Sequence, residues 1–192
     1  GPLPPFFGVG PLPGFPRGEA DVKRGHKGAH TCDIIFENCR VPAENIIGGQ
    51  EGKGFKTAMK VLDRGRLHIS AICVGVAYRL IEDAVNFSAE RKQFGKPIIE
   101  HQLIPAMLAD SRAEAFAGRS MVLEADRSKE RGERVSLDAS CCKLYCSEMA
   151  GRVADRAVPI HGGAGYMAVY SVEPFYRRVR LFPNDGRPTQ TP

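Results

Sequence analysis

Apolar residues recur at steps of three and four along residues 54–89, among them Leu62, Ile69, Ile72, Val76, Leu80, Ala84 and Phe87, with no proline inside the run. A spacing near 3.6 residues gathers them on one face, so the pattern predicts a long buried helix. After the turn-forming Phe94-Gly95-Lys96-Pro97, a second stripe of Ile104, Met107, Leu108, Ser111, Ala115, Gly118 and Val122 predicts another helix, broken at Gly132. Ser136 is suited to cap a third, with Asp138 in its first turn. The seam of that helix is Leu137, Ser140, Leu144, Ser147, Gly151, Ala154 and Val158, whose small side chains admit a close neighbour. Pro159 and the Gly162-Gly163 pair are expected to stop it, and a short amphipathic segment follows over residues 172–180. Three long helices and a short one, joined by brief connections, predict a mainly α fold, an antiparallel helical bundle.

The chain ahead of the bundle reads differently. Residues 1–18 are crowded with proline and glycine and show no period, so they read as an irregular leader. Residues 31–37, Thr-Cys-Asp-Ile-Ile-Phe-Glu, carry the β-branched and aromatic bias of a strand, closed by turn chemistry from Asn38 to Pro42. One strand is not stable alone, so this short β segment is expected to need partners that the chain barely supplies. The chain opens on Gly1-Pro2 without an initiator methionine, which reads as the mark of cleavage or excision from something longer.

With 192 residues the chain suffices for one sizeable core, or for a helical domain with a fragment of another. No stretch approaches the roughly 20 uncharged apolar residues of a membrane span. The 27 Lys and Arg against 22 Asp and Glu are mixed in sign along the helices, as in Glu90-Arg91-Lys92, which is the composition of solvated faces. No basic cluster is interleaved with stacking aromatics, which argues against nucleic acid. The six cysteines show no paired C-x-x-C and no histidine at ligand spacing, so no metal site is expected, and they read as reduced thiols in a reducing compartment.

Four groups of residues carry candidate chemistry. Arg91 ends the long helix beside a Phe-Gly turn, where a guanidinium can meet a diphosphate or simply complement the helix dipole. Gly162 and Gly163 either stop a helix or let backbone N–H groups approach a flat or phosphorylated ligand. Asp63 and Arg66 stand three apart and can pair with each other or serve a ligand, with Gly65 between them at some cost to the helix. His68 reads as a packed core or interface histidine rather than a base.

Taken in order, Asp33-Ile34-Ile35-Phe36-Glu37-Asn38-Cys39-Arg40-Val41-Pro42, Gly52-Lys53-Gly54-Phe55, Leu62-Asp63-Arg64-Gly65-Arg66, Glu90-Arg91-Lys92-Gln93-Phe94-Gly95 and Ile160-His161-Gly162-Gly163-Ala164-Gly165-Tyr166 resemble the acyl-CoA dehydrogenase family. The likeness runs from about Lys23 to Phe182. It implies residues 19–50 as a remnant of the middle β-domain, 51–182 as the C-terminal helical domain and 183–192 as an irregular tail.

The resemblance also implies FAD as cofactor, held by Arg91 and Gln102 at its diphosphate, by Phe94 as an aromatic neighbour, and by His161, Gly162 and Gly163 at its adenosine half. Asp63 and Arg66 would border the acyl-CoA channel. The family usually begins the last motif with Gln, where this chain has Pro159. The implied activity is oxidation of an acyl-CoA to its 2,3-enoyl-CoA, with electrons passed to an electron-transfer flavoprotein. A homotetramer or homodimer is implied, in bacterial cytoplasm or a mitochondrial matrix.

Alternatives are a related flavin oxidase or monooxygenase, or a non-catalytic helical assembly module. Proton removal beside a thioester needs a positioned carboxylate. Family members place it as Glu-Gly after the short last helix or within the first long helix, where this chain has Gly65. Asp185, in Asp185-Gly186, is the one displaced candidate, and the isolated chain is expected to be inactive.

Overall fold

The computed structural model describes Gly14 and residues 18–29 and 31–184. The chain divides into two units, Gly1–Leu62 and Asp63–Pro192. In the first, the described residues ahead of Gly54 are mostly irregular. Within it the Gly18 N–H donates to the Asp33 carbonyl at 2.9 Å, Asp21 to Thr31 at 2.9 Å and Glu37 to Gly14 at 2.8 Å, an antiparallel pairing of extended segments. The strand expected over residues 31–37 is reduced to a bridge position at Ile34. Ile34, Ile35 and Phe36 are exposed, and with nothing burying their side chains the segment has no reason to build a ladder.

The helices lie mainly in the second unit, the earliest of them beginning within the first. Helix α1 spans Gly54–Glu90, α2 Leu103–Glu130, α3 Ser136–His161 and α4 Val172–Val179. Between α1 and α2 a minimal hairpin pairs β1 (Lys92–Gln93) with β2 (Lys96–Pro97). Its two loop residues, Phe94 and Gly95, have φ of 53° and 83°, which makes the turn type I′ and places an aromatic in a left-handed conformation that glycine or asparagine usually fills. No helix among the described residues is long and apolar enough to cross a membrane.

The core is built from Cys73, Val74, Ala77 and Leu80 of α1, Ala115 of α2, Cys146, Met149, Ala150, Val153 and Ala157 of α3, and Val172 and Val179 of α4, with Phe182 beyond it. Leu80 is fully buried, a contribution of about 2 kcal/mol from that side chain alone.

Three expectations are corrected here. Of the expected α3 seam Leu137 and Leu144 are exposed while Ser147 and Ala154 are buried, and the buried stripe also takes in Ala139, Cys142, Cys146, Met149, Val153 and Ala157. Apolar and small residues cover so much of this helix that more than one seam fits a three-four spacing, and the buried one mixes small residues with Met149 and Val153. Ser136 does not cap α3: Val135 stands at the cap, and the Ser136 hydroxyl donates to Asp63 Oδ2 at 2.7 Å, tying α3 to α1. Pro159 lies inside α3 without stopping it, since its fixed φ is helical and only one N–H is lost. Gly162 makes the stop, with φ 57° and ψ −136°, a region closed to side chains. His68 is exposed on the chain's own surface.

Candidate functional site

The end of α1, the hairpin and the end of α3 meet around a cleft of about 530 Å³. Phe87 and Arg91 enter it from α1, Gln93 and Ile98 from the hairpin region, and Pro159, Ile160, His161, Gly162, Gly163 and Ala164 from α3 and the turn after it, with Tyr170 beyond. The Ile98 N–H donates to the Arg91 carbonyl at 2.8 Å, which folds the hairpin back onto the helix end. Arg91 is exposed and forms no ion pair among the described residues, so its guanidinium is available to an anion.

His161 is 6 % exposed, and its Nδ1 lies 2.8 Å from the Ala157 carbonyl. A carbonyl only accepts, so Nδ1 carries the proton and Nε2 is left as the uncommitted nitrogen. The ring stacks on Phe87 with centroids 4.5 Å apart, and Phe87 meets Tyr170 edge-on at 6.2 Å. One wall of the cleft is therefore aromatic. Around Gly163 a Cβ would meet nothing within 4 Å, so the peptide faces open space, whereas a Cβ on Gly165 would come within 2.5 Å of the Val158 carbonyl oxygen. Gly163 leaves room for a ligand, and Gly165 lets the turn press against α3.

The other expected residues lie elsewhere. Phe94 stands at the hairpin tip, 94 % exposed, outside the cleft lining and edge-on to His101. Gln102 is exposed at the start of α2, makes no capping hydrogen bond and does not line the cleft. Asp63 and Arg66 pair at 2.7 Å, and Asp63 also accepts from Ser136. They sit near the opposite end of α1 from Arg91, about 40 Å away along the helix axis. Asp185 lies outside the described residues. No carboxylate lines the cleft among the described residues.

A sequence profile described as the acyl-CoA dehydrogenase C-terminal domain matches residues 52–184. The chain belongs to the acyl-CoA dehydrogenase family. Butyryl-CoA dehydrogenase from Megasphaera elsdenii superposes with a TM-score of 0.93 at 37 % identity, over 96 % of this chain and 48 % of that one. An acyl-CoA dehydrogenase from Bacillus anthracis, solved as a complex with FAD, superposes with a TM-score of 0.86 at 29 % identity, over 93 % of this chain and 34 % of that one. A caffeyl-CoA reductase-Etf complex subunit from Acetobacterium woodii is 40 % identical over 169 residues, 88 % of this chain and 44 % of that protein. The chain thus spans less than half the length of these relatives.

Within this acyl-CoA dehydrogenase domain, sequence reasoning missed Phe87 and Tyr170. Phe87 falls in register with the apolar stripe of α1 and reads as core. Tyr170 sits in a connection with no pattern. The signal that could have found Phe87 is its place one turn before Arg91, on the same helix face.

Proposed function

We propose that this chain is the helical portion of an FAD-dependent acyl-CoA dehydrogenase that oxidises an acyl-CoA to its 2,3-enoyl-CoA and delivers the electrons to an electron-transfer flavoprotein. The observation that carries this reading is the cleft, which joins Arg91 to His161, Gly162 and Gly163 in a chain of this family. These residues fit a dinucleotide: a free guanidinium suits the diphosphate, an open Gly163 backbone suits close approach, and the aromatic wall suits a flat heterocycle. Bound there, FAD supplies the acceptor for the hydride that leaves the β-carbon.

What the chain itself does is bind and orient. Arg91 offsets the diphosphate charge, and His161 offers Nε2 as an acceptor while its Nδ1–H is fixed by Ala157. Phe94 and Gln102, both exposed and off the cleft, are assigned to the same cofactor, and Asp63 with Arg66 to the acyl-CoA channel. The 40 Å between the two groups means that one chain does not bring its cofactor residues and its channel residues to one site, which supports a homodimer or homotetramer in which different copies complete each site. Free cysteines suit a reducing compartment, bacterial cytoplasm or a mitochondrial matrix. A second reading, reduction of an enoyl-CoA by the same machinery, is favoured by the relative named as a reductase.

Titration with ADP tests the cleft. The chain is expected to bind ADP, and Arg91→Ala to bind about tenfold more weakly, the loss of a charge-assisted contact; equal affinity would refute the role of Arg91. The base lies outside the described cleft, so the isolated chain is expected not to dehydrogenate, and bleaching of added FAD by butyryl-CoA with this chain as the only protein would overturn that.

A further inference from the structure

The turn that walls the cleft, a 3-10 helix over Gly162–Tyr166 and the connection to α4, has little apolar packing of its own to hold it in place. Gly162, Gly163 and Gly165 raise the entropy lost on ordering it. Tyr166, Met167 and Val169 point outward, 85 %, 55 % and 80 % exposed, and so bury little apolar surface. Three contacts oppose this looseness. Gly165 packs against α3, Tyr170 meets Phe87 edge-on, and the Ser171 hydroxyl donates to Asp83 Oδ2 at 2.6 Å.

The last two contacts land side by side. Asp83 and Phe87 are four residues apart on α1 and share one face, so the helix grips the adjacent pair Tyr170-Ser171 through a hydrogen bond and a ring contact. Phe87 in turn stacks on His161. The Asp83 carboxylate is braced from its other oxygen by Arg79 Nε at 2.9 Å and is mostly buried, at 14 % exposure. Ser171 also occupies the residue before α4, where a serine ordinarily caps the free N–H groups of its own helix, yet it makes no such bond. Its hydroxyl is committed to α1 instead, at the expense of an α4 cap.

We propose that Ser171 and Asp83 are positioning residues for the nucleotide cleft. Their hydrogen bond ties Tyr170, and through it the turn 162–170, to α1. This holds the aromatic wall and the Gly162-Gly163 peptides in the arrangement that receives a ligand before it arrives, so binding does not have to order them. The inference rests on reading the cleft as a dinucleotide site and adds to it two residues that touch no ligand.

Two measurements on the full 192-residue chain test this, made on the parent, Ser171→Ala, Asp83→Ala and the conservative Ser171→Thr. Hydrogen exchange reads the tie directly through the Met167 and Tyr170 amides, which donate to the Ala164 and Met167 carbonyls at 3.1 Å each. Their protection is expected to fall about tenfold in both alanine variants and to persist in Ser171→Thr, with amides in the middle of α1 and α3 unchanged. ADP affinity is expected to weaken about fivefold to tenfold in the same two variants and to be kept in Ser171→Thr. Unchanged exchange in both alanine variants overturns the inference whatever the affinities. Faster exchange with unchanged ADP affinity overturns it too, leaving a tie without a positioning role. A parent chain that does not bind ADP overturns the reading of the cleft, and the inference with it.

Discussion

Replacing Gly165 by alanine adds one methyl group at the point where the cleft wall touches α3. The new Cβ would stand 2.5 Å from the Val158 carbonyl oxygen and 3.1 Å from His161 Cβ. A carbon settles against a carbonyl oxygen at about 3.3 Å or more, so the two must part by roughly 0.8 Å. Val158 contributes backbone from the last turns of a helix, and no flexible side chain can swing aside. The φ of Gly165 is not in the left-handed range, so the entire effect is steric. Overpacking of this kind costs about 1–3 kcal/mol when the neighbours cannot relax. Urea melts should therefore show a lower midpoint at constant slope, and ADP affinity should fall because the turn is pushed off its seat. Gly163→Ala is the comparison. Its Cβ meets nothing within 4 Å, so its stability should match the parent or rise by about 0.4–1 kcal/mol, while ADP binding falls because the methyl enters the cleft. Identical melts for the two variants, or a Gly165→Ala midpoint indistinguishable from the parent, would refute the reasoning.

Gly65→Ala, in α1 with open space around its Cβ, should stabilise the chain by about 1 kcal/mol, read as a raised urea midpoint; a lower midpoint would reveal a contact the fold does not show. Burial pushes the Cys142 thiol up to about 11 and Cys146 up to about 12, from an ordinary 9.0. Both raised values favour the neutral thiol in the folded state, so stability should hold below about pH 9 and fall as the unfolded thiols ionise above it, by up to about 1.4 kcal/mol per pH unit for each. At pH 8 a thiol reagent should label exposed Cys141 and leave Cys142 and Cys146 untouched until urea is added, and equal rates would contradict their burial. At Glu114, burial raises the carboxyl but Arg156 and Arg152, each at 2.7 Å, hold it below its ordinary value. Its contribution is present above pH 4.5 and lost as pH falls through the folded value, and Glu114→Ala should cost about 1–2 kcal/mol at neutral pH and flatten that acid limb.

The helices were legible because their signal is local and repeated. In α1 the apolar period persists over ten turns with no proline, and the expected span of 54–89 ends one residue short of Glu90. The buried face was less legible. Leu137 and Ile72 look like core residues by type, yet both are exposed, since which of several apolar faces turns inward depends on what the neighbouring helices offer. The capping role expected of Ser136 failed for a related reason. A serine hydroxyl serves whichever acceptor tertiary structure brings near, here Asp63, 73 residues away.

The cleft shows the same division. Gly162, Gly163 and His161 stand out because adjacent glycines after a helix are conspicuous in any sequence. Phe87 and Tyr170 do not, because an aromatic acquires its role only from the rings it meets, and these two lie on elements far apart in the chain. Asp83 and Ser171 are further still from legibility. Taken separately, one reads as a solvated helix residue and the other as the first residue of a helix, and only their 2.6 Å contact makes them a unit. Local chemistry can therefore point to residues that line a cleft, while those that hold such residues in place emerge from the fold. It follows that substitutions at Asp83 and Ser171 should alter the cleft although neither lines it.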